Sequence, residues 1–213
     1  MITSSARLAP DVLMRPAELA DAAGFSRSYL RNLDHLRPTE PQRADGFYTP
    51  AGQAERLAVQ LAERDAGRVM PWVLVREPDG GSAESGEPDV VGAITLSQIT
   101  YGPLRSASVG YWIDVGQLRR GLAAAALGAA CAAADRELGL HRLEAGTLVD
   151  NIASQRVLTG CGFTPYGTAE KFLHIDGAWR DHLIFALTAE EVPDGLHRRW
   201  HQARPGTPRR PWP

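Results

Sequence analysis

The chain has 213 residues, of which 44% are hydrophobic and 23% are charged, and its formal net charge is -2. This is enough apolar material for one well-buried core, and the near-neutral charge argues against a general nucleic-acid-coating protein, since such proteins carry clustered basic surfaces. The sequence holds no run of eighteen apolar residues and opens without the apolar centre of a secretory signal. We therefore expect one domain over residues 1–188 that works in the cytoplasm, with no membrane partner.

The C-terminal segment, residues 189–213, is basic and rich in proline. A solvated, flexible tail is the expected state, and contact with ribosomal RNA is the alternative. The two cysteines, Cys131 and Cys161, suit neither a metal cluster nor a disulfide scaffold. We expect two reduced structural thiols and no metal.

The first third of the chain predicts a strand followed by helices. Residues 12–15 can form a strand, and Pro16 stands where helices often begin, ahead of apolar residues at roughly helical spacing. Residues 34–50 contain three prolines and mixed charges, so we expect a loop there that forms a wall of the substrate site. A second helix through residues 55–62 follows.

The remaining segments predict a sheet with interspersed helices. Residues 70–75 and 90–99 are rich in branched apolar residues and bracket a polar stretch at 77–88, which predicts a hairpin with a flexible tip. The later predicted elements are a strand at 107–113, a helix at 118–138, a strand at 142–149, a helix at 152–159 and a hairpin at 163–187 that turns at Asp176-Gly177. Several strands join by short hairpins, so the expected fold class is α/β with a mixed, mostly antiparallel central sheet and flanking helices.

The first chemical motif is Val-Gly-Tyr-Trp-Ile-Asp-Val-Gly-Gln-Leu-Arg-Arg-Gly-Leu-Ala at residues 109–123, a strand that turns into an Ala-rich helix. Backbone N–H groups at a helix N-terminus can hold a pyrophosphate, because unpaired donors and the positive end of the helix dipole converge there. Gly121 allows close approach, and Arg119 and Arg120 add charge. The motif lacks the Gly-Lys-Ser/Thr of a triphosphate loop and the Gly-x-Gly-x-x-Gly spacing of a dinucleotide site.

The second motif is Asp-Asn-Ile-Ala-Ser-Gln-Arg-Val-Leu-Thr-Gly-Cys-Gly-Phe at residues 150–163, a short helix that Asn151 can cap and that ends in a glycine turn. Together the two motifs resemble the acetyl-coenzyme A core of the GNAT superfamily of N-acetyltransferases. The segment Lys-Phe-Leu-His-Ile-Asp-Gly-Ala-Trp-Arg-Asp-His-Leu at residues 171–183 resembles the branch of the RimJ and RimL ribosomal-protein N-terminal acetyltransferases.

The resemblance implies the GNAT fold, acetyl-coenzyme A as the acetyl donor, and direct transfer in a ternary complex. The coenzyme-binding residues that it implies are Ile113, Val115, Leu118, Arg119, Arg120, Gly121, Leu122, Ala123, Asn151 and Ser154. Leu118 departs from the Gln or Arg usual at the first loop position, which weakens a side-chain role there and leaves the backbone cradle intact. Asn151 is implied to bond the pantetheine arm, in addition to capping its helix.

Ser154 is the residue that the resemblance implies for the leaving group. Many family members use a Tyr four residues further on to protonate the departing thiolate, and that position is Leu158 here. RimL-like proteins are thought to use the serine that matches Ser154. We therefore predict a catalytic or thiolate-stabilising role for Ser154, with a plain first-turn serine as the alternative.

Acyl transfer to an amine needs the amine neutral and needs a donor for the oxyanion that develops. A protein α-amine has a pKa of about 7.7–8.0 against about 10.4 for lysine, so a carboxylate acting through water could suffice as the base. Glu144 has the strand alternation to face a cleft and is one candidate, beside an exposed structural role. Glu40 and Asp45 are candidates for the base or for binding the amine, and His182 is a candidate for orienting the acceptor.

The sequence is compatible with more than one class of acceptor amine. The loop at residues 36–41 resembles the Pro-Trp-x-Pro loop of the RimJ and RimL proteins, with Thr39 in place of the aromatic residue. The preferred expectation is the N-terminal α-amine of a ribosomal or other protein. The alternatives are the amine of a small molecule or peptide natural product, and a non-catalytic acyl-coenzyme A-binding module. A homodimer is compatible with the sequence.

Overall fold

The computed structural model describes residues 5–77 and 88–189, which form one eight-stranded sheet with helices packed on its two faces. The strands are β1 (Ala6–Ala9), β2 (Val12–Pro16), β3 (Met70–Arg76), β4 (Asp89–Thr100), β5 (Ser106–Ile113), β6 (Arg142–Leu148), β7 (Thr164–Ile175) and β8 (Ala178–Thr188). The α-helices are α1 (Ala22–Arg31), α2 (Leu33–Leu36), α3 (Pro50–Asp65), α4 (Leu122–Arg136) and α5 (Ile152–Gly160).

The order across the sheet is β1-β2-β3-β4-β5-β6-β8-β7. Neighbouring strands are antiparallel, with the exception of β5 and β6, which are parallel. The chain between these two strands holds α4, as a parallel connection requires a crossover. The predicted fold class, with a mostly antiparallel sheet and flanking helices, is confirmed.

The N-terminal part of the chain differs from the prediction in three places. β1 was not foreseen, because a four-residue edge strand carries little apolar pattern. Pro16 ends β2 and does not open a helix; a 3-10 turn at Leu19–Asp21 leads into α1 instead. Residues 34–50 are not all loop, since they include most of α2 and a second 3-10 turn at Asp45–Tyr48.

Local signals set several boundaries of the observed elements, and α3 extends beyond the predicted residues 55–62 at both ends. Thr49 accepts a hydrogen bond from the Gly52 N–H at 3.0 Å and Pro50 follows at the first helical position, so α3 begins there. The Asp176-Gly177 turn of the last hairpin is confirmed, with φ of 45° and 82° at these two residues. Positive φ at both central positions gives the twist that joins antiparallel strands tightly.

The two faces of the sheet carry separate helices and separate parts of the core. α4 packs on one face through Leu122, Ala126 and Leu127, which are buried against side chains of β3 to β6. α1 and α3 pack on the other face through Phe25 and Leu57. Residues that alternate along β5 therefore point to different helices.

Cys131 is buried, Cys161 is partly buried, and both are free thiols, as expected. Within residues 5–77 and 88–189, no group of three or more His, Cys, Asp or Glu side chains is placed to hold a metal ion. No helix of this described part is long and apolar enough to cross a membrane. The predicted hairpin tip, apart from its two flanking residues, and the basic tail from residue 190 onward lie outside the described residues.

Candidate active site

A divergence of two central strands creates the main cleft of the molecule. β5 and β6 pair only through Ser106–Ser108 and the start of β6. Beyond Ser108, β5 remains paired with β4 and β6 with β8, so the two parallel strands separate. A cleft of about 940 Å³ opens at the separation, lined by residues 109–113 of β5 and 145–148 of β6.

The cleft takes side chains from both faces of the sheet. Tyr111 and Val109 belong to the face that α4 covers, whereas Trp112 packs with the aromatic residues of α1. All three line the same cleft. We call its two halves the α4 side and the α3 side, after the helices that border them. A ligand that enters from one side can therefore meet a ligand that enters from the other side between β5 and β6.

The α4 side ends at a loop with unusual backbone geometry. Arg119 and Gly121 have φ of 62° and 77°, in the left-handed region, and Arg120 between them does not. Such alternation turns successive N–H groups toward one concavity that attracts anions. Gly121 is the N-cap of α4 and has no side chain to cap the first N–H groups of the helix. The predicted start of this helix at residue 118 was therefore four residues early.

The predicted coenzyme-binding residues divide into two groups by position. The residues that line the cleft are Ile113, Leu118, Arg119, Gly121, Leu122, Ala123, Asn151 and Ser154. Val115 and Arg120 lie outside this lining. Val115 is half-exposed in a 3-10 turn, and the Arg120 guanidinium is bonded to Asp11 and Gln117.

Ser154 stands in the first turn of α5, where it is fixed by two neighbours. The Asn151 side chain accepts a hydrogen bond from the Ser154 N–H at 3.1 Å, which is the predicted helix cap. The Tyr111 hydroxyl lies 3.1 Å from Ser154 Oγ and 3.4 Å from the Ser154 carbonyl oxygen. Burial raises the pKa of Tyr111 to about 12, against the opposing effect of the hydrogen bond to Ser154, so the phenol stays protonated at neutral pH.

A buried polar network connects residues 114–116, which precede the loop with positive φ at Arg119 and Gly121, to the end of α1. Asp114 is 5% exposed, and its carboxylate accepts hydrogen bonds from the Asn32 side chain at 2.8 Å and from the Gly116 N–H at 2.8 Å. Asn32 in turn accepts from the Val115 N–H at 2.7 Å. Burial opposes ionisation of Asp114, but the bonds from Asn32, Arg31 and Gly116 outweigh it and leave its pKa below the usual value.

The α3 side is lined by aromatic rings and charged groups. Tyr29 contacts Phe47 and Trp112, with ring centroids 4.9 and 5.0 Å away. Glu40 lines the cleft beside them, and burial is the main cause that raises the pKa of its carboxyl. Thr39, which replaces the aromatic residue of the resembling loop, is also in the lining.

The other candidate acceptor and base residues take different positions. Glu144 is outside the cleft lining: its carboxylate accepts from Arg142 at 2.7 Å and from the Tyr166 hydroxyl at 2.9 Å. Glu144 pairs with Ser108 of β5, before the two strands separate, so the expected position in the cleft is not observed. Asp45 is exposed in its 3-10 turn, outside the lining, whereas His182 is buried, lines the cleft and bonds the Arg180 carbonyl oxygen at 3.0 Å.

Sequence reasoning missed several polar residues of the cleft, among them Tyr111 and Arg56. Tyr111 stood in the quoted strand motif, and its alternation with Trp112 was the available signal for a side chain on the α4 face. Arg56 on α3 also lines the cleft. No local signal identified it, because it reaches the site only through the packing of α3 on the sheet.

The model of the acetyltransferase (GNAT) domain family matches residues 11–164. The chain belongs to the GNAT acetyltransferases. YjcK of Bacillus subtilis, named a probable N-acetyltransferase, is 32% identical over 83% of the chain and 93% of its own length. The [ribosomal protein uS5]-alanine N-acetyltransferase of Escherichia coli is 30% identical over 89% of the chain and 94% of its own length.

Solved structures agree with this family assignment. RimJ of Mycobacterium smegmatis, in complex with CoA-disulfide, has a TM-score of 0.80 and 35% identity and covers 90% of the chain and 88% of its own. This GNAT acetyltransferase is thus of the RimJ and RimL type, an acetyl-coenzyme A-dependent N-acetyltransferase. The left-handed loop and the uncapped start of α4 fit a pyrophosphate, as the donor requires.

Proposed function

We propose that this enzyme acetylates the N-terminal α-amine of a protein, and that its natural acceptor is a ribosomal protein in the cytoplasm. The observation that carries the acceptor class is the 30% identity, over 89% of the chain, to an enzyme named for alanine acetylation of ribosomal protein uS5. The cleft supports it in chemical terms, since an amine that enters from the α3 side would meet a thioester held on the α4 side.

The donor is held, in this proposal, by the α4 side. The N–H groups at the start of α4 and the side chain of Arg119 bind the pyrophosphate, because they combine unpaired donors, the helix dipole and a positive charge. The free edge of β5, which β6 leaves after Ser108, offers backbone groups to the pantetheine arm. Acetyl-coenzyme A supplies the activated acetyl group.

Ser154 and Tyr111 act on the leaving group. The phenol is the more acidic of the two hydroxyls, and we assign it as the donor to Ser154 Oγ across 3.1 Å. The Ser154 proton is then directed into the cleft, where it reaches the thiolate that departs from the acetyl carbon. Tyr111 is a positioning residue in this arrangement, and Ser154 is the catalytic residue.

Glu40 is the proposed base and amine-binding residue. It is the one carboxylate among the described residues that line the cleft, and its raised pKa makes it a better proton acceptor than an ordinary glutamate. An α-amine with a pKa of about 7.7–8.0 is already partly neutral at pH 7, so weak basic help is sufficient.

The proposal is tested by thiol release from acetyl-coenzyme A, with a panel of free N-terminal peptides and a panel of small amines. Turnover on peptide N-termini that falls about 100-fold in Ser154→Ala supports the proposal. Ser108→Ala is the matched control, because the Ser108 hydroxyl bonds Gln98 on the neighbouring strand and does not line the cleft. Turnover confined to small amines would refute the protein acceptor, and tight cofactor binding without any turnover would indicate a non-catalytic binding module.

A further inference from the structure

Within residues 5–77 and 88–189, Arg56 is a partly buried cation without a carboxylate partner on the α3 side of the cleft. Its Nε donates to Gln53 Oε1 at 2.7 Å and its Nη1 donates to Gln60 Oε1 at 2.8 Å, and both acceptors are uncharged amides. Its third nitrogen, Nη2, is buried and has no hydrogen-bond partner among the described residues. Among the residues that the structure describes, the guanidinium therefore forms no ion pair.

Aromatic rings hold this cation in place. The guanidinium carbon of Arg56 lies 4.7 Å from the ring centre of Phe25 and 5.9 Å from that of Tyr29. Such contacts stabilise a desolvated cation by less than the cost of burying an unpaired charge. A buried charge of this kind normally has a counterion.

The surrounding charges leave this part of the cleft positive. Arg43 also lines the cleft, with its guanidinium carbon 4.9 Å from the ring centre of Phe47. The Glu40 carboxyl interacts electrostatically with both arginines, yet among the described residues it forms no ion pair with either within 4.0 Å. Two cations and one anion face the same space.

A second cavity continues this space toward the protein surface. It has a volume of about 330 Å³ and shares Tyr29, Leu36, Glu40, Pro41 and Arg43 with the main cleft. Arg37 and Gln42 line its outer part, where Arg37 pairs with Asp176 of the last hairpin at 3.2 Å. Extended chain spans about 3.3–3.6 Å per residue, so the residues that follow an N-terminal amine would reach this region within a few positions.

We propose that the α3 side binds a carboxylate of the acceptor, with Arg56 and Arg43 as the specificity-determining residues. The acceptor is then a polypeptide whose N-terminal amine is followed, within its first few residues, by an aspartate or glutamate. The carboxylate supplies the counterion that Arg56 lacks, while Glu40 stays available for the amine. This inference rests on the proposed protein acceptor and specifies its sequence.

The test compares peptide pairs that differ by Glu or Gln at one of positions 2 to 4 behind the same N-terminal residue. We expect kcat/KM for the Glu peptide to exceed that for the Gln peptide at least tenfold at one position. Arg56→Gln should reduce this ratio to near one. Equal kcat/KM within every pair for the wild type would overturn the proposal.

Two further variants distinguish loss of the proposed carboxylate site from a folding defect in Arg56→Gln. Arg43→Gln alters an exposed side chain and should lower the Glu/Gln ratio several-fold. Arg68→Gln is the matched control, since Arg68 pairs with Glu63 at 2.6 Å outside the cleft, and it should preserve the wild-type ratio. A ratio that survives both Arg56→Gln and Arg43→Gln would assign the acidic preference to other residues and refute the proposal.

A parallel panel separates this inference from the protein acceptor itself. It contains free amino acids and their α-carboxamides, which present the same amine with and without a carboxylate. If no peptide is acetylated but free amino acids exceed their carboxamides in an Arg56-dependent manner, the carboxylate site stands and the protein acceptor is wrong. If peptides are acetylated without regard to charge, the protein acceptor stands and the carboxylate site is wrong.

Discussion

The hydroxyl of Tyr111 on β5 lies 3.1 Å from Ser154 Oγ on α5, across the gap that the divergence of β5 and β6 creates. This contact joins a strand residue and a helix residue that are 43 positions apart in the chain. It places a partly buried, protonated phenol behind the hydroxyl that we assign to the leaving thiolate.

The Tyr111–Ser154 pair predicts strongly non-additive kinetics. Tyr111→Phe should lower kcat about tenfold with little change in the KM for acetyl-coenzyme A, because it removes an orienting hydrogen bond and keeps the ring. In a Ser154→Ala background the same change should have almost no further effect. Steady-state kinetics of the two single variants and the double variant measure this coupling.

Tyr101→Phe is the control for that cycle, since Tyr101 is half-exposed in the turn after β4. Effects of Tyr111→Phe and Ser154→Ala that simply multiply would show that the two hydroxyls act independently. That result would contradict the proposed coupling of Tyr111 and Ser154, even if each single variant has a reduced kcat.

Gly121 predicts a selective loss of coenzyme affinity. Gly121→Ala should strain the left-handed residue by about 1–2 kcal/mol and weaken coenzyme A binding about tenfold, because the loop would turn its N–H groups away from the pyrophosphate. Space is not the cause, since a Cβ at this position would meet no atom within 4 Å. Isothermal titration calorimetry with coenzyme A gives the change.

Gly102 offers a matched comparison, because it has φ of 73° and equally open space, in the β4–β5 turn away from the cleft. Gly102→Ala should lower the melting temperature to a similar extent and leave the Kd for coenzyme A unchanged. Equal Kd changes in the two variants would mean that the loop geometry at Gly121 has no special role.

Asp114 predicts an acid-sensitive contribution to stability. Its pKa is lowered in the folded state, so the contribution is complete above the unfolded-state pKa of about 3.9 and is lost as pH falls through the lower folded-state value. Asp114→Asn should therefore reduce the free energy of unfolding by about 1–3 kcal/mol at pH 7. Denaturant unfolding at pH 7 and at about pH 3 should show a smaller difference between wild type and variant at the lower pH. A difference that is the same at both pH values would contradict the assignment.

Glu40 predicts the form of the acid limb in kcat/KM. The reaction needs both a neutral amine and an ionised Glu40, so a plot of log kcat/KM against pH should rise with a slope of two below the Glu40 pKa. Burial raises this pKa above its usual value. Between the Glu40 pKa and the amine pKa of about 7.7–8.0, the slope should be one. Glu40→Gln should lower the rate and give a slope of one throughout. Glu144→Gln should retain the break in slope, and loss of the break in that variant would return Glu144 to the candidate bases.

Much of the fold was predictable because its signals are local. The Asn151 cap of α5 and the Asp176-Gly177 turn each depend on residues within a few positions of one another. The Thr49-Pro50 start of α3 is an equally local signal, although the predicted helix was placed only through residues 55–62. The extra strand at Ala6–Ala9 was missed because its stability comes from pairing with β2, which its own composition does not indicate.

The site was predictable only where it coincides with such local motifs. Gly121 and Ser154 were found because loop and cap motifs name them, and the resemblance to a known family gave them roles. Tyr111 and Arg56 were missed because they reach the cleft through strand divergence and helix packing, which are long-range relationships. The position of Glu144 outside the cleft lining also depends on long-range contacts, because its carboxylate accepts hydrogen bonds from the Tyr166 hydroxyl and the Arg142 guanidinium.

The most direct test of the central claim is to map the acetyl group on a peptide that offers both kinds of amine. The enzyme is incubated with acetyl-coenzyme A and a peptide with a free N-terminal alanine, a glutamate within the next three residues and one internal lysine. Tandem mass spectrometry then locates the acetyl group. We predict acetylation of the α-amine, abolished or greatly slowed in Ser154→Ala. Acetylation confined to the lysine side chain, or no acetylation of the peptide while small amines are modified, would contradict the account.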